Sequence, residues 1–203
     1  MTKGLLSSAE VPTQSSERYG VLTRAIHWIL ALALIAMIGF GLYLDSLSFS
    51  KEKVALIQLH KSFGVGIAFL LCVRVVNRVR EGFLPIYGSP TQQIATRAVH
   101  IVLLLLPLGL VASGFLRSLA YGKPIKFFGM EIVPVVMEKN DALHAIASNA
   151  HAAMAWVLVG GVLLHLTATI WHHFVLRDST LSRVLPVRTH QPGQRKKSAA
   201  CQG

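Results

Sequence analysis

The sequence predicts an all-α protein, a four-helix transmembrane bundle with both termini cytoplasmic. Two observations lead to this fold class. Of the 203 residues, 53% are hydrophobic and only 14% are charged, with a mean hydropathy of +0.54, whereas a soluble domain carries about 25% charged residues. Four stretches are also free of charge, or nearly so, over a length that can cross a membrane. One membrane domain therefore accounts for almost the whole chain.

The apolar stretches place four helices at about residues 22–44, 54–79, 92–116 and 142–176. The first and third fit the roughly 20 apolar residues that span hydrocarbon. The second reaches this length only if it begins near Val54 and includes Lys61. The fourth measures about 52 Å at a rise of about 1.5 Å per residue, so we expect it to project beyond the bilayer at one end.

The helices divide the chain into a polar N-terminal segment (1–17), a membrane domain (18–187) and a basic disordered tail (188–203). Basic residues accumulate in short cytoplasmic loops. They are in excess before helix one, between helices two and three, and after helix four, while the other two loops are nearly balanced. This distribution places both termini in the cytoplasm. The connection over 117–141 is predicted to form an ordered cap, and its secondary structure stays open.

The formal charge of +11 raises the question of a nucleic acid partner. The basic residues lie at helix ends and in the tail rather than on a soluble face, so we expect contact with lipid head groups and no nucleic acid.

Nine histidines occur, and most lie within or at the edges of the apolar runs. A polar ring in hydrocarbon is costly, so each is a functional candidate. The alternative for each is a structural role, with the ring hydrogen-bonded to a neighbouring helix. The histidines concerned are His27, His60, His100, His144, His151, His165, His172 and His173.

Spacing along the helices pairs four of these histidines by depth. His151 and His165 share one face of helix four and are separated by about 21 Å along its axis. His27 lies near the cytoplasmic start of helix one and His60 near the outer start of helix two. The expected pairs are therefore His27 with His165 in the inner half and His60 with His151 in the outer half.

Two imidazoles that face each other across a bundle form the ligand set of a six-coordinate haem iron. Zinc prefers four ligands, often including thiolate or carboxylate, and no such partner lies at these depths. Neither cysteine belongs to a C-x-x-C pair, so the haem would be bound non-covalently. The sequence therefore predicts two haem b groups held by the pairs His27–His165 and His60–His151.

Two further residues bear on this interpretation. Arg74 lies on the His60 face about 21 Å further inward, where it could pair with a haem propionate or anchor the helix at the interface. His144 lies about 10 Å outside His151 and could replace it as a ligand. The two haems would then be too far apart for one hydrocarbon core, so we place His144 at the outer mouth.

The roles of His100, His172 and His173 stay open. Each could contact lipid head groups or belong to a proton path to a quinone.

The ordered set of segments resembles the bacterial cytochrome b561 family over roughly residues 18–187. The sequence departs from the family pattern at Leu104, Val111 and Ala152. The segments that carry the resemblance are RAIHW (24–28), LHKSFG (59–64), VASG (111–114), YGKPIKFFG (121–129), LLHLTATIWHHF (163–174) and LRDSTLSRVLP (176–186).

The resemblance implies a di-haem protein of the bacterial cytoplasmic (inner) membrane that exchanges electrons with quinone. Carried over by position, it makes His27, His60, His151 and His165 the axial ligands. Some members are superoxide oxidases that reduce ubiquinone, which implies an oxidoreductase with superoxide as the outer-side donor. Two alternatives stay open. The chain could be a haem-bearing subunit that relays electrons between quinone and a partner redox protein, or a histidine-lined proton or metal transporter.

Overall fold

The computed structural model describes residues 20–82 and 89–175. Each of its four helices is long and apolar enough to cross a membrane, which confirms the four-helix transmembrane prediction. The polar segment 1–17, the tail 188–203 and the end of the membrane domain beyond 175 lie outside the described residues. The elements are α1 (Val21–Ser46), α2 (Lys51–Glu81), α3 (Pro90–Ala120), β1 (Ile125–Phe127), β2 (Met130–Val133) and α4 (Asp141–Phe174).

Side-chain caps explain where three of the helices begin. Ser50 accepts a hydrogen bond from the backbone of Lys53, which starts α2 three residues before the predicted Val54. Ser89 and Gln92 form a reciprocal capping box with Pro90 at the first helical position, so α3 also begins earlier than predicted. Asn140 caps α4 by accepting from the backbone of Leu143. The helices therefore extend a few residues beyond most of the predicted bounds.

Helices that are neighbours in sequence pack together as pairs. α1 packs against α2 and α3 against α4, while α2 and α3 meet over a smaller area. A buried cluster of Ile26, Leu30, Ile67 and Leu71 forms the α1–α2 contact, and Leu108 of α3 packs against its edge. Among the described residues, α1 and α4 share no extensive backbone contact. The molecule is thus built from two helical hairpins joined mainly through α2 and α3.

The connection between α3 and α4 forms a small β-hairpin. β1 and β2 pair antiparallel, with Phe127 opposite Met130 at the turn. Phe128 (φ 45°) and Gly129 (φ 95°) both occupy the left-handed region in this turn, a conformation that a two-residue hairpin turn requires. Buried Ser62 of α2 accepts a hydrogen bond of 3.0 Å from the Phe128 backbone. This bond fixes the hairpin over the beginning of α2.

Candidate functional site: paired histidines

Two groups of histidines lie at opposite ends of the bundle. We use "loop end" for the end that carries the α1–α2 connection and the β-hairpin, and "termini end" for the end at Val21 and Phe174. The loop-end pair is His60 and His151. The termini-end cluster is His27, His100 and His165. The structure thus groups the four predicted ligands as the sequence spacing indicates and adds His100.

The loop-end pair joins α2 to α4. His60 and His151 lie close enough for their charges to interact. The Phe40 ring of α1 packs edge-on at 5.5 Å from the His60 ring, and a Cβ at Gly41 would lie 3.6 Å from the His60 Cε1. The buried Nδ1 of His60 has no hydrogen-bond partner among the described residues. An unmatched buried nitrogen is costly, which makes the His60 ring a candidate for binding a group inside the bundle.

The hydrogen bonds of His151 fix its tautomer. Its Nδ1 lies 2.9 Å from the backbone oxygen of Leu110 and 3.0 Å from the Ser113 Oγ. A carbonyl oxygen can only accept, so Nδ1 carries the proton and the lone pair is on Nε2. Metal-bound histidines donate in this way from the nitrogen that does not bind the metal. His151 is therefore oriented as an iron ligand is.

Gly114 provides the space for the His151 ring. A Cβ at this position would lie 3.4 Å from the His151 Cε1 and 3.5 Å from its Nδ1. At Gly39, Gly64 and Gly160, by contrast, an added Cβ would meet nothing within 4 Å. The sequence alone does not distinguish Gly114 from these glycines, because only the packing of α3 against α4 reveals its neighbour.

We expect Gly114→Val to displace the His151 ring, because the branched side chain extends beyond a Cβ position that is already in contact. The loop-end cofactor should then be lost in part, seen as a drop in cofactor per chain in the purified protein. Gly160→Val is the matched control, since a Cβ there meets nothing. Equal loss in both variants would contradict the role of Gly114.

Cations surround the loop-end pair. Arg117 lies close enough to interact electrostatically with His60, His151 and Lys61. The Lys61 Nζ donates a 2.8 Å hydrogen bond to the Ser118 Oγ of α3. In the sequence, Lys61 is only a charge that the second apolar stretch must include. In the structure it is a half-buried cation at the site, held by a partner on another helix.

The termini-end cluster joins three helices. The His27 ring lies within electrostatic range of His165, His100 and Arg74. The rings of His100 and His165 pack edge to face with centroids 5.7 Å apart. The Arg74 Nη1 donates a 3.0 Å hydrogen bond to the backbone oxygen of Thr23. Arg74 is therefore fixed beside His27, at the depth that the sequence predicted.

His144 is engaged at the loop end of α3. Its Nδ1 lies 3.0 Å from the backbone oxygen of Arg117, and its ring packs at a tilt against Tyr121, with centroids 5.1 Å apart. These contacts secure the end of α3, where backbone carbonyls lack helical partners. His144 is thus engaged with Arg117 and Tyr121 at the loop end of α3.

The donor set fits axial ligation of a flat iron macrocycle better than a compact metal site. Within residues 20–82 and 89–175, no three His, Cys, Asp or Glu side chains converge as a tetrahedral ion would need. The imidazoles instead come from different helices and lie within electrostatic range of each other, and glycines lie against the rings of His60 and His151. Fold and site together define a four-helix membrane protein with paired histidines at two depths.

Comparison with known proteins identifies the class more closely. The chain belongs to the prokaryotic cytochrome b561 family, whose model matches residues 18–187. It is 37% identical to cytochrome b561 homolog 2 of Escherichia coli K12, covering 85% of this chain and 94% of that protein. It is 29% identical to a probable superoxide oxidase CybB of Yersinia pestis, covering 84% and 97%. Cytochrome b561 homolog 1 of Escherichia coli K12 is 27% identical, covering 80% and 94%.

Family membership confirms the resemblance found in the sequence. It makes the chain a multi-pass bacterial membrane protein of electron transport and implies b-type haem and oxidoreductase chemistry. The paired histidines described above are the residues suited to hold that haem.

Proposed function

We propose that this chain is a di-haem b cytochrome that takes electrons from a donor at the loop end and delivers them to ubiquinone at the termini end. The observation that carries the proposal is the orientation of His151, whose Nδ1 donates to Leu110 and leaves Nε2 for iron. Haem supplies the one-electron chemistry, and the protein supplies binding, orientation and electrostatics.

The proposed ligands are His60 with His151 at the loop end and His27 with His165 at the termini end. α4 contributes one ligand to each pair, about 21 Å apart along its axis. Arg74, fixed by Thr23 beside His27, is placed to neutralise a propionate of the termini-end haem. Lys61 and Arg117 are placed for the same task at the loop end.

Superoxide is the proposed donor. The loop-end connections are nearly balanced in overall charge, but the cations nearest the loop-end pair, Arg117 and Lys61, would attract a small anion locally. Lys123 adds to the field of Arg117 and Lys61. Lys139 contributes less, because it pairs with Asp141 at 2.8 Å. The named relative that is a probable superoxide oxidase supports this choice of donor. With both termini in the cytoplasm of a bacterial cell, the loop end would face the compartment outside the inner membrane.

We expect Arg117→Gln to lower the rate of superoxide-dependent quinone reduction by about tenfold at low salt, because electrostatic steering changes association rates by about 10 to 10³. The rate should also depend less on ionic strength. Lys139→Gln is the control, since Asp141 already neutralises that charge. Equal rates for Arg117→Gln and the unmodified protein across salt concentrations would rule out steering by this cation.

The proposal as a whole is tested on the detergent-purified protein. A reduced-minus-oxidised spectrum with haem quantified per chain should give about two low-spin b haems, and superoxide should drive reduction of added ubiquinone. Absence of haem would overturn the proposal and favour a transport path. Two haems without superoxide-dependent activity would instead favour a subunit that serves a partner redox protein.

A further inference from the structure

We propose that Ser113 sets the reduction potential of the loop-end haem by acting through His151. Ser113 touches neither iron nor donor in this scheme and is a positioning residue. The inference rests on the proposed ligation by His151, and the experiment below separates the two.

Ser113, His151 and the backbone of Leu110 form a closed triangle of contacts. The Ser113 Oγ lies 2.9 Å from the Leu110 oxygen and 3.0 Å from the His151 Nδ1. The His151 Nδ1 lies 2.9 Å from the same Leu110 oxygen. Ser113 itself is buried, with 8% of its surface exposed, so bulk water competes little for these bonds.

The proton positions follow from what each group can donate. The Leu110 carbonyl only accepts, so both the His151 Nδ1–H and the Ser113 hydroxyl donate to it. The hydroxyl proton therefore points at Leu110, which leaves the negative end of the Ser113 dipole facing the His151 Nδ1–H. The imidazole proton is thus shared between two acceptors, the carbonyl and the hydroxyl oxygen.

Removing the hydroxyl has two opposite effects. The first is loss of an acceptor 3.0 Å from the imidazole nitrogen, which makes the ring a poorer electron donor to iron and destabilises the ferric state. The second is that Leu110 loses a competing donor and accepts more strongly from His151. Such cooperative changes amount to about 10–30% of one bond, so the direct loss is larger. The potential of the loop-end haem should therefore rise.

The opposite ligand makes this effect selective. The His60 Nδ1 has no hydrogen-bond partner among the described residues, so the hydrogen bonding that tunes this haem comes from the His151 side. Of the termini-end ligands, His165 lies about four turns further along α4 and His27 lies on α1. Only one of the two haems should respond to a change at Ser113.

The test is a redox titration of purified Ser113→Ala, followed spectroscopically in both haems. We expect the reduction potential of the loop-end haem to rise by at least about 28 mV. This corresponds to about a threefold change in its reduction equilibrium, at 59 mV per tenfold change for one electron. The reduction potential of the termini-end haem should not change. Ser113→Thr should restore the potential, because a threonine hydroxyl can bond the same carbonyl.

Ser148→Ala is the matched control. Ser148 lies on α4 within one turn of His151, and its buried hydroxyl has no hydrogen-bond partner among the described residues. The Ser148→Ala variant should leave the reduction potentials of both haems unchanged. Two haems in Ser113→Ala with no shift, or a downward shift, would overturn the role of Ser113 while leaving the ligation standing. Two haems in a His151→Ala variant would overturn the ligation itself.

Discussion

His151→Ala is expected to reduce the haem content from about two to about one per chain, because a six-coordinate haem needs both axial imidazoles. The missing haem should be the loop-end one, so that a redox titration shows a single component. Haem per chain and the titration together measure the effect. Added imidazole should restore part of the lost absorbance by occupying the space that the side chain leaves.

His144→Ala is the control for this loss. His144 belongs to the same helix and lies about two turns closer to the loop end, where it bonds the Arg117 backbone and packs against Tyr121. The His144→Ala variant should therefore retain both haems. Loss of haem from His144→Ala with retention in His151→Ala would exchange the two residues in the ligand assignment.

His165→Ala is expected to remove the termini-end haem and stop delivery of electrons to quinone. Losing a residue that merely supports a metal ligand costs about 10- to 100-fold in activity. Losing the ligand itself should therefore lower the rate of ubiquinone reduction by more than about 100-fold. The loop-end haem should still become reduced when superoxide is added. Stopped-flow spectra would separate this partial reduction from complete turnover.

His100→Ala distinguishes a ligand from its neighbour. The His100 ring packs at 5.7 Å on that of His165 and also lies within electrostatic range of His27. As a neighbour, it should leave the haem content unchanged. If His100→Ala loses a haem and His27→Ala does not, His100 replaces His27 opposite His165.

The helices could be predicted from sequence because a membrane leaves a simple signature of length and missing charge. The start of α3 was predicted two residues late, because hydropathy does not show the capping box of Ser89 and Gln92 around Pro90 at the first position. The β-hairpin was not predicted. Its strands are only three and four residues long, and its turn uses Phe128 before Gly129 where asparagine or aspartate is usual.

The histidines of the candidate site could be grouped from sequence, because their spacing along the helices gives their depth. The contacts that support these histidines could not be predicted in this way. The acceptor for His151 is the backbone carbonyl of Leu110, which every residue possesses and no motif marks. Lys61 looks unfavourable in an apolar run until Ser118 of another helix satisfies it. Contacts of this kind depend on how α2, α3 and α4 pack, and no local pattern encodes that.

The division of the molecule into two helical hairpins bears on how the protein matures. On the proposed ligation, each haem iron connects the first hairpin to α4 of the second, through His27–His165 and His60–His151. The two haems would then add two connections between halves that otherwise meet mainly where α2 contacts α3 and β1. Binding only to the assembled form stabilises it by mass action, so haem supply would govern how much of the chain escapes membrane quality control.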